Sequence, residues 1–456
     1  MTQFNINIYK TVKKSLFLEK FLLFISVIII FYIFYRSEIY HNGLKRDYYK
    51  IYYILSLSLF SFSLTLFFIK KKIRIYILII LISSIFALYL FEAYLSYGDL
   101  FSKKISYKID TGNNYDVRSR FEFYNDQIKN NKTDKIVMQN HPSYFINEKK
   151  LIPFSGISNA LTIQCNENGY FSKFKSDRYG FNNPDNEWDQ EEIEYLLTGD
   201  SFTQGNCVNR PNDIASVLRT LSGKSVLNLG SGGNGPLIEY AVLREYLFPK
   251  VKNVVWIFFE GNDLSGLKNE IKSELLNKYI ENLNFTQNLK KRQVEINDLL
   301  LNTMNKEIQI KKKNKESQIN NQNKLFNLIK LYKVRHLFYP HQHNTELPNN
   351  DFEKILRLAK NLSIKNNSNF YFVYLPRYSR YVKNLDNKSY ENIKKILKEL
   401  DIEIIDIHES VFKNQNDPLN LFPFRKYGHY NELGYKLVAE KIFEKINELQ
   451  KSNDLN

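Results

Sequence analysis

Four polar, glycine-bearing segments hold side chains that could do covalent chemistry. The first is Gly199-Asp200-Ser201-Phe202-Thr203-Gln204-Gly205, and the last is Gly428-His429-Tyr430-Asn431-Glu432. A serine hydroxyl is a weak nucleophile until a base takes its proton. Histidine is the side chain suited to that work near neutral pH. Between these two lie Asn228-Leu229-Gly230-Ser231-Gly232-Gly233-Asn234-Gly235-Pro236 and Glu260-Gly261-Asn262-Asp263. The chemistry such a set suggests is acyl transfer through a serine ester.

The elements that must position these segments are read from hydrophobic patterning. The apolar runs 193–197, 225–229, 253–259, 369–375 and 402–407 read as buried parallel strands. Helical patterns separate them at 215–220, 236–247, 351–362 and 390–400, and a last amphipathic helix covers about 432–449. This alternation predicts a doubly wound α/β sheet over about 191–450, with its ligand site beyond the C-terminal strand ends. Three of the four segments follow predicted strands, and the fourth leads into the last helix. A Lys-, Asn- and Glu-rich insertion at about 264–345 reads as mostly helical, either a solvated hairpin or a lid. Residues 98–190 read as a polar linker followed by a small irregular β region.

The four segments, in this order, resemble the SGNH/GDSL hydrolase family over about residues 190–450. The resemblance implies a flavodoxin-like parallel sheet, with Ser201 as nucleophile and His429 as base. It also implies an oxyanion hole formed by the Ser201 N–H, the Gly233 N–H and the Asn262 side chain. Gly232 is the neighbouring alternative to Gly233. The family places an Asp three residues before the histidine, where this chain has Lys426. Asp417 is the expected replacement, with Asp406 and Glu432 as further candidates and a Ser–His dyad as the case without an acid. No cofactor and no metal is implied.

Other reactive residues have plainer readings. Cys165 and Cys207 are the two cysteines of the chain. They could be bridged, pinning the 160s segment onto the site, or remain two thiols. His341 and His343 lack further ligands at useful spacing and read as a polar loop. His408 reads as structural. Asp200 and Asp263 read as acceptors that fix their loops, and Arg377 as either a surface ion pair or a contact for a substrate carboxylate.

The first hundred residues carry three apolar runs, Leu16–Tyr35, Tyr48–Phe68 and Ile73–Tyr94. Each approaches the ~20 residues needed to cross a bilayer. The chain of 456 residues has a net charge of +16, and half of that excess lies in residues 1–97, with 12 basic and 4 acidic side chains. Placed around apolar runs, this charge argues for membrane topology and against nucleic acid. The cluster at Lys70–Arg74 predicts a cytoplasmic second loop, and hence a C-terminal domain outside the cytoplasm. The sequence therefore predicts a multi-pass membrane-anchored esterase or acetyl transferase. Its expected substrate is an acylated carbohydrate or another envelope ester, and its expected partners are the membrane and an envelope polysaccharide-assembly protein. The alternative is an inactive SGNH-like binding or scaffold module.

Overall fold

The computed structural model describes residues 20–131, 133–316, 326–338, 346–383 and 385–454. They form two units, one of residues 20–97 with 326–338 and the other of the remaining described residues from Gly98 onward. His341 and His343 lie outside the described residues.

In the first unit each apolar run forms a helix: α1 (Lys20–Tyr40), α2 (Arg46–Thr65) and α3 (Lys71–Thr111). Two of them, α1 and α3, are long and apolar enough to cross a membrane. The expectation of three spans is corrected at α2. That helix opens on Arg46-Asp47 with Lys50 in its second turn, and Ser56, Ser58, Ser61, Ser63 and Thr65 dilute its apolar face. The Ser56 and Ser63 hydroxyls turn back onto the carbonyls of Tyr53 and Leu59, at 3.0 and 2.7 Å, as helical hydroxyls do when no outside partner is offered. α3 has 41 residues, about 60 Å of helix and roughly twice a hydrocarbon core. Residues 98–111 are thus helical, where the sequence suggested a linker.

The second unit begins with that helical end and continues through α4 (Arg120–Asn130), which starts in a capping box between Ser119 and Glu122. A small sheet follows, of β1 (Ile136–Met138), β2 (Leu161–Ile163) and β3 (Lys173–Lys175); β1 runs parallel and β3 antiparallel to the central β2. The main sheet comprises β4 (Ile193–Gly199), β5 (Val226–Asn228), β6 (Val251–Phe259), β7 (Asn369–Leu375) and β8 (Glu403–Asp406). All its pairings are parallel, in the order β5-β4-β6-β7-β8. The helices between them are α5 (Ser201–Gln204), α6 (Ile214–Ser222), α7 (Pro236–Tyr246), α8 (Asp263–Glu270), α9 (Glu274–Glu281) and α10 (Gln293–Glu316), followed by further helices at Asn350–Lys365, Lys388–Glu399 and Glu432–Asp454.

The strands are apolar throughout because both faces of the sheet are covered. Along β6, Val254, Trp256 and Phe258 enter one core, with α7 and Asn350–Lys365, while Val255 and Ile257 enter the other, with α6 and the last helix. The 98–190 region has no core of its own. Its Phe121, Phe123, Ile152, Phe154, Ile163 and Phe181 belong to the first of these cores.

A polar knot centred on Asp177 joins this region to the edge strand β5. The buried carboxylate accepts from the backbone N–H groups of Tyr179 and Phe181, both at 2.9 Å. It also accepts from Asn183 Nδ2 at 2.9 Å and Trp188 Nε1 at 2.7 Å. Asn183 in turn pairs with both the N–H and the C=O of Asn228, at 2.8 and 2.9 Å, so a side chain replaces the missing neighbouring strand. Burial pushes the Asp177 carboxyl up, against the pull of these donors. Removing a buried acceptor leaves its donors unsatisfied. Asp177→Ala is therefore expected to lower the unfolding free energy by about 3 kcal/mol or more. Asp189→Ala, which breaks an exposed ion pair with Arg178, is expected to cost less than about 1 kcal/mol. Denaturant titration of tryptophan fluorescence on the detergent-solubilised chain checks both.

Candidate active site

The loop after β4 turns directly into α5. Asp200 caps that helix, its Oδ1 accepting the Phe202 N–H at 2.8 Å. The preceding Gly199 is obligatory for space, since a Cβ there would sit 2.1 Å from Thr203 Oγ1 and 2.4 Å from the Ile257 carbonyl. The turn places Ser201 at the first helical position, 9% exposed. Its backbone N–H has no acceptor within the helix.

His429 arrives from the other end of the domain, on the loop that leads into Glu432–Asp454, and its Nε2 lies 2.9 Å from Ser201 Oγ. Its Nδ1 lies 3.1 and 3.2 Å from the two carboxylate oxygens of Glu167, and its backbone N–H donates to Glu167 Oε2 at 2.6 Å. An ionised carboxylate only accepts, so Nδ1 carries the proton. Nε2 is then left with a lone pair facing the serine hydroxyl. This is the hydrogen-bond order of a nucleophile, a base and an orienting acid.

Glu167 was not among the acids expected from sequence. It sits in the nine-residue loop between β2 and β3, and Asp417 does not reach the imidazole. Asp417 caps its own 3-10 turn through the Leu419 N–H and pairs with Arg425 at 2.5 Å. Asp406 accepts from the Tyr390 hydroxyl at 2.5 Å and Glu432 from the Tyr170 hydroxyl at 2.7 Å. Lys426, where the family places an acid, pairs with Asp99. The one sequence signal that led toward Glu167 was Cys165, two residues earlier. Cys165 and Cys207 are joined in a disulfide, and Cys207 lies six residues after Ser201.

Electrostatics couple the pair. Burial alone would lower the His429 imidazole, but the Glu167 charge and its hydrogen bond outweigh it, and the net shift is upward. Burial alone would raise the Glu167 carboxyl, but the imidazolium charge and its hydrogen bonds win and hold it below the usual range. Glu167, His429 and Cys207 also place three ligand-type atoms within 4.8 Å of one another. The Cys207 sulfur is in a disulfide, however, and supplies no thiolate.

The remaining expected residues sit around the serine. Gly233 has φ +79, and a Cβ there would approach Ser143 Oγ to 2.8 Å. The Gly232 N–H is taken by Gln204 Oε1 at 3.0 Å, while the Gly233 N–H has no partner among the described residues. Burial raises the Asp200 carboxyl, and the Asn262 side chain lies close enough to it to pull against that rise. The buried Asn262 Oδ1 has no partner among the described residues, and the amide has N–H groups to give. Glu270 fixes the glycine loop from behind, accepting the N–H groups of Gly235, Leu237 and Ile238 at 2.6, 3.0 and 3.3 Å. Burial pushes that carboxyl up to about 7. Asp263 accepts the Phe259 N–H at 2.7 Å, and Asp200 also lies 3.3 Å from Ser201 Oγ.

His141 is a further residue that the sequence did not single out. Its ring packs on Gly232, and burial lowers its pKa. His408 is buried and bonded to the Tyr381 hydroxyl at 2.8 Å. Arg377 is buried, not at the surface; its backbone N–H donates to Glu260 at 2.8 Å, and its Nε and Nη2 have no partner among the described residues.

No family model and no curated protein matches the chain. Among solved structures it is similar to a lipolytic protein of the G-D-S-L family from Desulfitobacterium hafniense DCB-2. The identity is 16% over 56% of this chain and 99% of the other, with a TM-score of 0.31. It is also similar to the acetyl xylan esterase AlAXEase, at 14% identity over 56% of this chain and all of the other, with a TM-score of 0.33.

The carboxylate sets the expected pH response. Neutral His429 is the form that can take a proton, so acylation of Ser201 by a small activated ester should rise with pH through a pKa above 6.5, the ordinary value. Glu167→Gln removes the charge that favours imidazolium, so this limb should move to lower pH. The same substitution should slow acylation by roughly 10²- to 10⁴-fold. Asp417→Asn should leave both rate and profile unchanged. Stopped-flow acylation across pH checks all three.

Proposed function

We propose that the chain is a membrane-anchored serine esterase or acyl transferase of SGNH type, working through an acyl-enzyme on Ser201. The observation that carries this reading is the continuous hydrogen-bond series Ser201–His429–Glu167. In the proposed reaction Ser201 Oγ attacks the ester carbonyl and its proton passes to His429 Nε2. The carbonyl oxygen becomes an oxyanion, which the N–H groups of Ser201 and Gly233 and the Asn262 amide receive. Each such donor is typically worth about 3–4 kcal/mol in the transition state. Collapse expels the alcohol oxygen, which takes the proton from Nε2, and leaves the acyl group on Ser201. Water or a second hydroxyl then attacks by the same steps in reverse.

The substrate we propose is an acylated carbohydrate. A cleft of about 600 Å³, whose lining includes Asn168, Asn431 and Glu432 but not Ser201, His429, Gly233 or Asn262, is the surface we propose for the part of the carbohydrate away from the ester. Tyr107, Tyr170 and Phe424 add aromatic surface to it. Aromatic faces suit the C–H faces of sugars, and amides and carboxylates suit their hydroxyls. We place the domain outside the cytoplasm. The basic cluster at Lys70–Arg74 supports that orientation, and the disulfide fits an oxidising compartment.

The test is a fluorophosphonate probe applied to the full-length chain in detergent. An adduct on Ser201 is expected by mass spectrometry, lost in Ser201→Ala and in His429→Ala. Turnover of a small acetyl ester should fall by about 10³-fold or more in either variant. Turnover or labelling that survives in Ser201→Ala overturns the reading.

A further inference from the structure

We infer that the Cys165–Cys207 disulfide is the device that delivers Glu167 to His429, so that the activated state of Ser201 exists only while this bridge is oxidised. The inference rests on the reading of Ser201 as the nucleophile.

Glu167 lies in a turn on the edge of the small sheet, 262 residues from His429 in sequence. The carboxylate therefore depends on whatever fastens that turn to the loop behind Ser201. Part of the fastening is to Glu432, through the Tyr170 hydroxyl, and to Asp116, through Asn166 and Gly169; the part nearest Ser201 falls on residues 206–209. Cys165 is bridged to Cys207. Around the bridge, Gln164 Nε2 donates to Asn206 Oδ1 at 2.8 Å, Asn168 Nδ2 to the Cys207 carbonyl at 2.9 Å, and the Lys173 N–H to Asn209 Oδ1 at 2.9 Å. Each of these noncovalent bonds replaces a bond to water and so contributes little net. The bridge is the one covalent link, and it closes a separation of 42 residues. Cys207 has φ +68 and is fully buried, and its sulfur lies 3.6 Å from His429 Nδ1. The disulfide thus borders the same ring nitrogen that Glu167 holds.

The switching step is ordinary thiol–disulfide exchange. A dithiothreitol thiolate attacks one sulfur and displaces the other cysteine as a thiolate. The second dithiothreitol thiol then displaces the mixed disulfide. The products are two protonated cysteine thiols and one cyclic disulfide. Reduction leaves the Glu167 turn held by hydrogen bonds, those to residues 206–209 together with Tyr170 to Glu432 and Asn166 and Gly169 to Asp116, and it places a thiol, a weaker acceptor than a carboxylate, beside Nδ1.

The test compares the full-length chain in detergent before and after dithiothreitol, and a Cys165→Ala/Cys207→Ala variant, each in wild-type and Glu167→Gln backgrounds. Two quantities are read: the rate of fluorophosphonate labelling of Ser201, and the His429 pKa by NMR of labelled histidine. In the wild-type background, reduction and the double substitution should each slow labelling by about tenfold or more, within the roughly 10⁴-fold reach of a lost triad acid. Both should lower the His429 pKa. In the Glu167→Gln background neither should slow labelling further. Labelling and pKa that stay unchanged after reduction verified by mass overturn the inference. So does an equal loss in the Glu167→Gln background, which would make the bridge a general support of the fold. If the double variant fails to fold by circular dichroism, reduction of the folded wild type decides. If the oxidised wild type does not label at all, the nucleophile reading fails instead. The His429 pKa then decides the bridge's role: a fall on reduction upholds it and no change overturns it.

Discussion

The contact between the Glu167 carboxylate and the His429 imidazole is the constraint around which this domain is arranged. It fixes which ring nitrogen bears the proton and therefore which one faces Ser201. It also requires three remote stretches of chain to meet: the loop between β2 and β3, the loop after β4 and the loop before the last helix. A charge pair held partly away from water is useful only when both partners are held in place, because either one alone would bear the desolvation cost unrelieved. The disulfide and the hydrogen bonds to residues 206–209 join the turn that carries Glu167 to the loop after Ser201.

Behind the serine the chemistry changes character. Asp200, Glu239, Asp263 and Glu270 are all fully buried or nearly so, and burial raises each of them. For Glu239 and Asp263 the repulsion of neighbouring carboxylates adds to the effect. Asp200, Asp263 and Glu270 act as acceptors for the backbone N–H groups of the loops after β4, β6 and β5. The pattern is one of capping, with carboxyls spending their lone pairs on loop backbone. It leaves His429 as the titratable group that faces Ser201 from the opposite side, with its own distinct partner.

The first unit follows different rules. Its helices expose apolar side chains, and the buried carboxylate of Glu92 in α3 is used to cap another segment. It accepts the N–H groups of Lys333 and Val334, at 2.9 and 2.8 Å. The long insertion thus returns to the first unit, which its Lys- and Asn-rich composition did not announce.

The sequence by itself determined the five parallel strands, because burial on both faces writes a continuous apolar run that no other soluble element needs at that length. It also determined that Ser201, Gly233, Asn262 and His429 stand at strand ends or a helix entry, since glycine and polar residues mark where those runs stop. Only the tertiary structure brings the Glu167 carboxylate to His429. Glu167 has no mark in the sequence beyond its nearness to Cys165, and Asp417, nearer His429 along the chain, is already paired with Arg425. The Glu167–His429 contact depends on a disulfide and a turn that bring the small sheet against the nucleophile loop. Likewise only the structure shows Gln204 taking the Gly232 N–H while the Gly233 N–H has no partner among the described residues. The hydropathy of α2 needed no fold to be read; its hydroxyls and N-terminal charges were in the sequence, outweighed by the aromatic residues around them. Strands and loop ends follow from solvation of neighbouring residues, which sequence records. A triad partner follows from which distant surfaces come together, which sequence spacing does not.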